Sequence, residues 1–364
     1  MTADLISTVW DQRNQCPDLA MTDWELLLGQ ARRTGLLARL AQQGLDCGWL
    51  DQVPTGPRQY LQGALRLVER QKLAVQWEVN CIRRALSGLH ASVVLLKGAA
   101  YVMADLPPAR SRLFSDIDIM VARDRLTEVE AALFAAGWIS AERDAYNQRY
   151  YRTWMHEIPP LKHVQRNTVL DLHHTISPPT SRFKVNSTSL FDQIRPIENG
   201  SGLFTLSPTD MVLHSAVHLF QEGEFGHGLR DLLDLDDLIK HFASQDGTFW
   251  IALLARAQEL GLGIPLSHTL VHLQRLFGTA PPAELQAAFA AVRPGWTTRK
   301  AMSVLLGAAL RPQHPSCDTR FSGIARWMLY VRSHYIRMPA HLIIPHLLRK
   351  AYMRQFPEKT PRAP

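Results

Sequence analysis

Apolar positions along the chain change their period twice. Up to about residue 90 they recur every three or four residues, the spacing of an amphipathic helix. Trp24-Glu25-Leu26-Leu27-Leu28-Gly29-Gln30-Ala31 and Leu36-Leu37-Ala38-Arg39-Leu40-Ala41 show it plainly. Val53-Pro54-Thr55-Gly56-Pro57 breaks the pattern. Strong helix formers from Arg58 to Gly88 then predict one long helix. From residue 91 the pattern shortens to apolar runs and alternations that suit strands: Ala91–Leu96, Ser115–Val121 and Thr168–His174. Ile158–Val164 and Val169–His173 predict a hairpin across Gln165-Arg166-Asn167-Thr168. Helical signals lie between these strands, at Ala99–Ala104 and from Asp124 to Gly137, whose glycine suits a helix C-terminus. Beyond about residue 207 the helical period returns. Ser207-Pro208-Thr209-Asp210 reads as a helix start. Leucines from Leu229 to His241 oppose a row of acids, and Pro281-Pro282 and Arg311-Pro312 to Pro315 mark breaks. The pattern predicts an α+β protein. A small mixed sheet with helices occupies residues 91–200, between helical regions at 1–90 and 201–356, with a disordered tail at 357–364.

Composition narrows the class. The chain has 364 residues, 46% hydrophobic and 20% charged, as soluble globular proteins with large cores do. No apolar run reaches the length of a membrane span, so no stable membrane insertion is expected. Met1-Thr2-Ala3-Asp4-Leu5 lacks the basic-then-apolar pattern of a signal peptide. Cys16, Cys47, Cys81 and Cys317 form no Cys-x-x-Cys pair, which argues against a zinc ribbon or redox motif. Reduced thiols in a cytoplasmic protein fit best. The net charge of +7 favours anionic partners such as nucleotides, RNA or acidic membrane surfaces.

The candidate chemistry centres on Ser115-Asp116-Ile117-Asp118-Ile119-Met120-Val121. On a strand, Asp116 and Asp118 project from one face. Two such carboxylates repel unless a cation lies between them, and Mg²⁺ or Mn²⁺ held by oxygen ligands is the usual answer. Asp-x-Asp alone is unspecific, because it also occurs on solvated edge strands and in turns. Its surroundings sharpen it. The strand at 91–96 ends at Lys97-Gly98 and enters a helix, a geometry suited to phosphate. The strand at 168–174 adds Asp171, with His173 on the same face and His174 opposite.

Leu95-Leu96-Lys97-Gly98, Arg112-x-x-Ser115-Asp116-Ile117-Asp118 and Leu170-Asp171-Leu172-His173 together resemble the uncharacterised bacterial nucleotidyltransferases of the DNA polymerase β-like superfamily. The likeness covers most of the chain, with the motifs between residues 95 and 174. Superfamily members commonly carry Gly-Ser where this chain has Lys97-Gly98, and the subfamily often has Trp where His174 stands. The resemblance implies a metal-dependent enzyme that moves NMP from an NTP such as ATP to a hydroxyl acceptor and releases pyrophosphate. It implies that Asp116, Asp118 and Asp171 hold two Mg²⁺ or Mn²⁺ ions, with Asp171 also helping to deprotonate the acceptor. Lys97, Gly98, Arg112, Ser115 and His173 would lie on the nucleotide side. The acceptor stays open between a small molecule, RNA and a protein. The missing Gly-Ser motivates a rival reading, a nucleotide-binding module without catalysis. A toxin-like enzyme that modifies RNA is a third.

Other groups admit two readings each. Arg112 either binds phosphate or pairs with an acid and fixes its loop. His214 and His218 have a spacing that can bind zinc, but Ser215 replaces the Glu of a His-Glu-x-x-His motif, which favours an ordinary helix pair. His227, Arg230, Asp231 and Asp234 either approach the active site or bridge domains. Between Gly323 and Gln355 there are six Lys or Arg and no acid, among aromatics and leucines. That fits a basic amphipathic helix for a membrane or acidic partner, or a helix packed on the body. Pro339 and Pro345 should interrupt it, which favours packing.

Overall fold

The long helix expected from residue 58 forms at Thr55–Ala85 and leads into the sheet. The computed structural model describes residues 4–197 and 202–355; the tail at 357–364 lies outside them. Among the described residues the chain is α+β, with a seven-stranded mixed sheet and helical regions at both ends. The strands are β1 (Val93–Leu95), β2 (Ile117–Met120), β3 (Trp138–Ser140), β4 (Leu161–His163), β5 (Val169–His173), β6 (Arg195–Pro196) and β7 (Leu203–Thr205). Their order is β3-β4-β5-β2-β1-β7-β6. β2 runs parallel to β5 and antiparallel to β1, which runs parallel to β7.

The anticipated hairpin is β4–β5, with Leu161 opposite Leu170. Its turn has no glycine; Asn167 takes the left-handed conformation instead, at φ +57°. Short strands β3, β6 and β7, and helix Ala145–Trp154, carried too little periodicity to be anticipated.

One apolar core runs from Val75 of the long helix, through β1, β2 and β5, to Ile336 near the C-terminus. A second gathers Trp24, Leu27, Leu40, Trp49 and Leu61 around Leu229 and Leu233 of helix Gly228–Gln245. Buried ion pairs tie distant segments. Arg256 grips Asp210 with two bonds of 2.7 and 2.8 Å, and both side chains are almost fully enclosed. Arg166, in the hairpin turn, does the same to Glu78 on the long helix at 2.8 and 2.9 Å, and lies over the Trp138 ring.

The C-terminal helices pack on the body, but their outward face is apolar as well as basic. In Ser322–Arg337 the buried side is Ala325, Leu329 and Ile336. Ile324, Trp327, Met328, Val331 and Tyr335 form an exposed stripe on the other side. Pro339 separates this helix from Ala340–Gln355, whereas Pro345 does not interrupt the latter as anticipated and sits inside it. Its ring removes one helical hydrogen bond. The next residue, His346, is buried and stacks on Tyr146 and Tyr150, which anchors the turn.

His268 and His272, on helix Gly263–Phe277, are buried beside Phe220. Burial, with help from Arg332 and Arg275 respectively, pushes them down to about 3 and about 4. Both are therefore neutral when folded at pH values where the unfolded chain protonates them. Their contribution is complete above about pH 6.5 and is lost as pH falls toward 4. Lowering pH from 7 to 5 should cost on the order of 1–2 kcal/mol per histidine, measurable as a fall in the urea midpoint. A His268→Leu/His272→Leu double variant should lose less stability over that range.

Candidate active site

A strand in the middle of a sheet offers a side chain little water, so a carboxylate there needs a partner. Asp118 sits on β2 between β1 and β5 and is almost fully buried. Its Oδ1 accepts from Lys97 Nζ at 3.4 Å and from His173 Nε2 at 3.0 Å. Burial alone would raise its pKa; Lys97 and the bond from His173 reverse this and hold it well below the usual carboxylate range. The partners respond in kind. Burial opposes the charge on Lys97, but Asp118, Glu222 and Glu157 outweigh it and raise the ammonium pKa. His173 is raised too, since its bond to Asp118 and the charge of Glu157 overcome burial.

The backbone makes this meeting possible. Lys97 follows β1 with φ +42°, a left-handed conformation that non-glycine residues seldom adopt. Gly98 is required by packing: a Cβ there would overlap the Phe114 ring. Phe114 is itself clamped, because the Gln71 amide bonds both its N–H and its carbonyl. The long helix thus fixes the loop that delivers Ser115 and Asp116. Asp116 stands just ahead of β2 and accepts from Ser115 Oγ at 3.1 Å.

In register, Asp118 lies directly opposite Asp171 on parallel β5. Both point to one face, as does His173 two residues on. Asp171 Oδ1 is buried and has no hydrogen-bond partner. Burial, then the charges of Glu157 and Asp118, push its pKa up to about 7. Asp118 and Asp171 on one face, the latter with an orphaned buried oxygen, and Asp116 close by just ahead of β2 fit a hard divalent cation such as Mg²⁺ or Mn²⁺.

A model of the uncharacterised nucleotidyltransferase family matches residues 20–278. The chain belongs to that family. No curated protein matches it. The match takes in the sheet of this nucleotidyltransferase, the long helix ahead of it and the helices after it through Phe277.

The structure brings Asp116, Asp118, Asp171, Lys97 and His173 together. Arg112 is engaged elsewhere. It forms a tight ion pair with Asp234 and a looser one, 3.5 Å, with Asp231, which Arg230 also holds. The 227–234 cluster is therefore a bridge between the Asp-x-Asp loop and the helix that anchors the N-terminal core. His174 faces away and bonds the Met155 carbonyl at 3.2 Å. His218 pairs with Glu222 at 3.1 Å.

Two residues at the site had no signal that singled them out. His156 and Glu157 precede the strand anticipated at Ile158. Continuing the β4–β5 pairing would set Ile158 opposite His173; instead Glu157 bridges to it, one residue out of step, with Pro159-Pro160 between. That slip carries the Glu157 carboxylate to 3.5 Å from His173 Nε2. Burial raises the Glu157 pKa and drives that of His156 far down, so His156 is neutral.

Arg112→Met should leave Asp234 buried without its counter-charge and cost about 3 kcal/mol. Urea unfolding checks this; an unchanged midpoint would free Arg112 for a role at the nucleotide.

Proposed function

We propose that this nucleotidyltransferase is metal-dependent and transfers NMP from an NTP to an acceptor hydroxyl, releasing pyrophosphate. The observation that carries the reading is the register of Asp118 against Asp171 on parallel strands, with Asp116 just ahead of β2 and near enough to act electrostatically on Lys97 and Asp171. Asp116, Asp118 and Asp171 would hold Mg²⁺ or Mn²⁺. Bound there, the ions would acidify the attacking hydroxyl and neutralise charge on the leaving pyrophosphate.

The chain's own groups divide the remaining work. The acceptor oxygen attacks the α-phosphorus, the bond to the β-phosphate oxygen breaks, and the hydroxyl proton passes to Asp171. Lys97, paired with Asp118 at 3.4 Å, would turn to the triphosphate when the nucleotide enters. Ser115 and the Gly98 backbone would add contacts to the nucleotide's phosphates, and His173, bonded to Asp118 at 3.0 Å, would orient it.

One observation favours a second reading. Asp118 Oδ1 is already shared by Lys97 and His173, as it would be in a protein that binds nucleotide without transferring it.

The test is pyrophosphate release from each of the four NTPs with Mg²⁺ or Mn²⁺ and a cell extract as the source of acceptor. Asp116→Ala should lower release on the order of 10²–10³-fold. Release at the unaltered rate in that variant would overturn the proposal. Nucleotide binding without release would favour the second reading.

A further inference from the structure

We infer that His156, Glu157 and His173 form a separate metal centre, selective for a Zn²⁺- or Co²⁺-like transition ion, beside the aspartate site. One donor atom from each lies within 4.8 Å of the other two. The imidazole centroids are 5.2 Å apart and inclined by 41°. The Nδ1 atoms of both histidines are buried and have no hydrogen-bond partner. Buried polar nitrogens nearly always have one, and two orphans in one cluster with a carboxylate call for a shared ligand.

The surroundings are those of a metal-bound histidine. His173 Nε2 is engaged with Asp118 Oδ1 at 3.0 Å, which leaves Nδ1 as the nitrogen a metal would take, any proton on it being displaced on binding. A carboxylate that fixes the tautomer of a ligating histidine is the usual outer support of such a centre. The backbone is equally fixed. Glu157 bridges to His173, Ile158 N–H donates to the Leu172 carbonyl at 3.0 Å, and His174 N–H to the His156 carbonyl at 2.9 Å. All three ligands therefore sit on one backbone-paired segment.

The donor set decides the ion. Imidazole nitrogen suits Zn²⁺ and its neighbours, whereas Mg²⁺ takes oxygen. Two imidazoles and one carboxylate would leave further coordination positions for water or a substrate. The centre does not depend on nucleotidyl transfer being the reaction.

The experiment is a Co²⁺ titration of the full chain in a large excess of Mg²⁺, read by visible d–d absorption, with Zn²⁺ as competitor. Stoichiometric uptake that Zn²⁺ reverses and Mg²⁺ does not is expected. His156→Ala and Glu157→Gln should each weaken it at least about tenfold, while Asp116→Ala should retain it. Far-UV circular dichroism checks folding, and His156→Gln serves if His156→Ala is unstable. No uptake, uptake abolished by Mg²⁺, or uptake unaltered in folded His156 and Glu157 variants would overturn the inference. Pyrophosphate release measured on the same preparation bears only on the transfer reaction, so the two failures stay distinguishable.

Discussion

The buried carboxylate of Asp118 is the constraint around which the centre is arranged. A charge set in the middle strand of a sheet has to be answered from close by. β1 delivers Lys97 through a left-handed turn, and β5 delivers His173. Neither strand can slip by a residue without turning its charged group to the opposite face. The same register that balances Asp118 also sets Asp171 beside it. Charge balance and the convergence of the acids are thus one feature of strand pairing.

Much of this was legible in the sequence. Apolar runs marked β1 and β2, alternation marked β5, and the two-residue spacing put Asp171 with His173, while Asp116 proved to stand just ahead of β2. Helical periods marked the body of Met21–Arg33, Thr55–Ala85 to within three residues at either end, and the start of Pro208–Gln221. What escaped depends on contacts between distant segments. Strands β6 and β7 are two and three residues long, too short to show a period; β7 forms on the edge that β1 offers, and β6 on β7. Glu157 reaches His173 through a one-residue slip at Pro159-Pro160, which no periodicity encodes. Nor does local pattern say that Arg112 would meet Asp234, 122 positions away.

The helical flanks are bound to the sheet and to one another by specific polar ties as well as by apolar packing. Gln71 holds the Phe114 backbone, Glu78 holds the hairpin turn through Arg166, and Arg39 reaches Asp237 at 2.6 Å and the Leu233 carbonyl at 3.2 Å. The loop bearing Asp116 is therefore gripped by the long helix on one side and, through Arg112, by Gly228–Gln245 on the other.

The pairing of β1 with β7 has a consequence for how the chain matures as it leaves the ribosome. β1 at residues 93–95 stays uncovered along one edge until residues 203–205 emerge, because Val93 pairs with Leu203 and Leu95 with Thr205. The N-terminal helices wait longer still, since Leu229 and Leu233 complete their core. Over half of the chain must be synthesised before either unit can close. Exposed strand edges of that kind invite association with other chains. This nascent protein therefore spends its vulnerable period with the strand next to its acid-bearing β2 open along one edge.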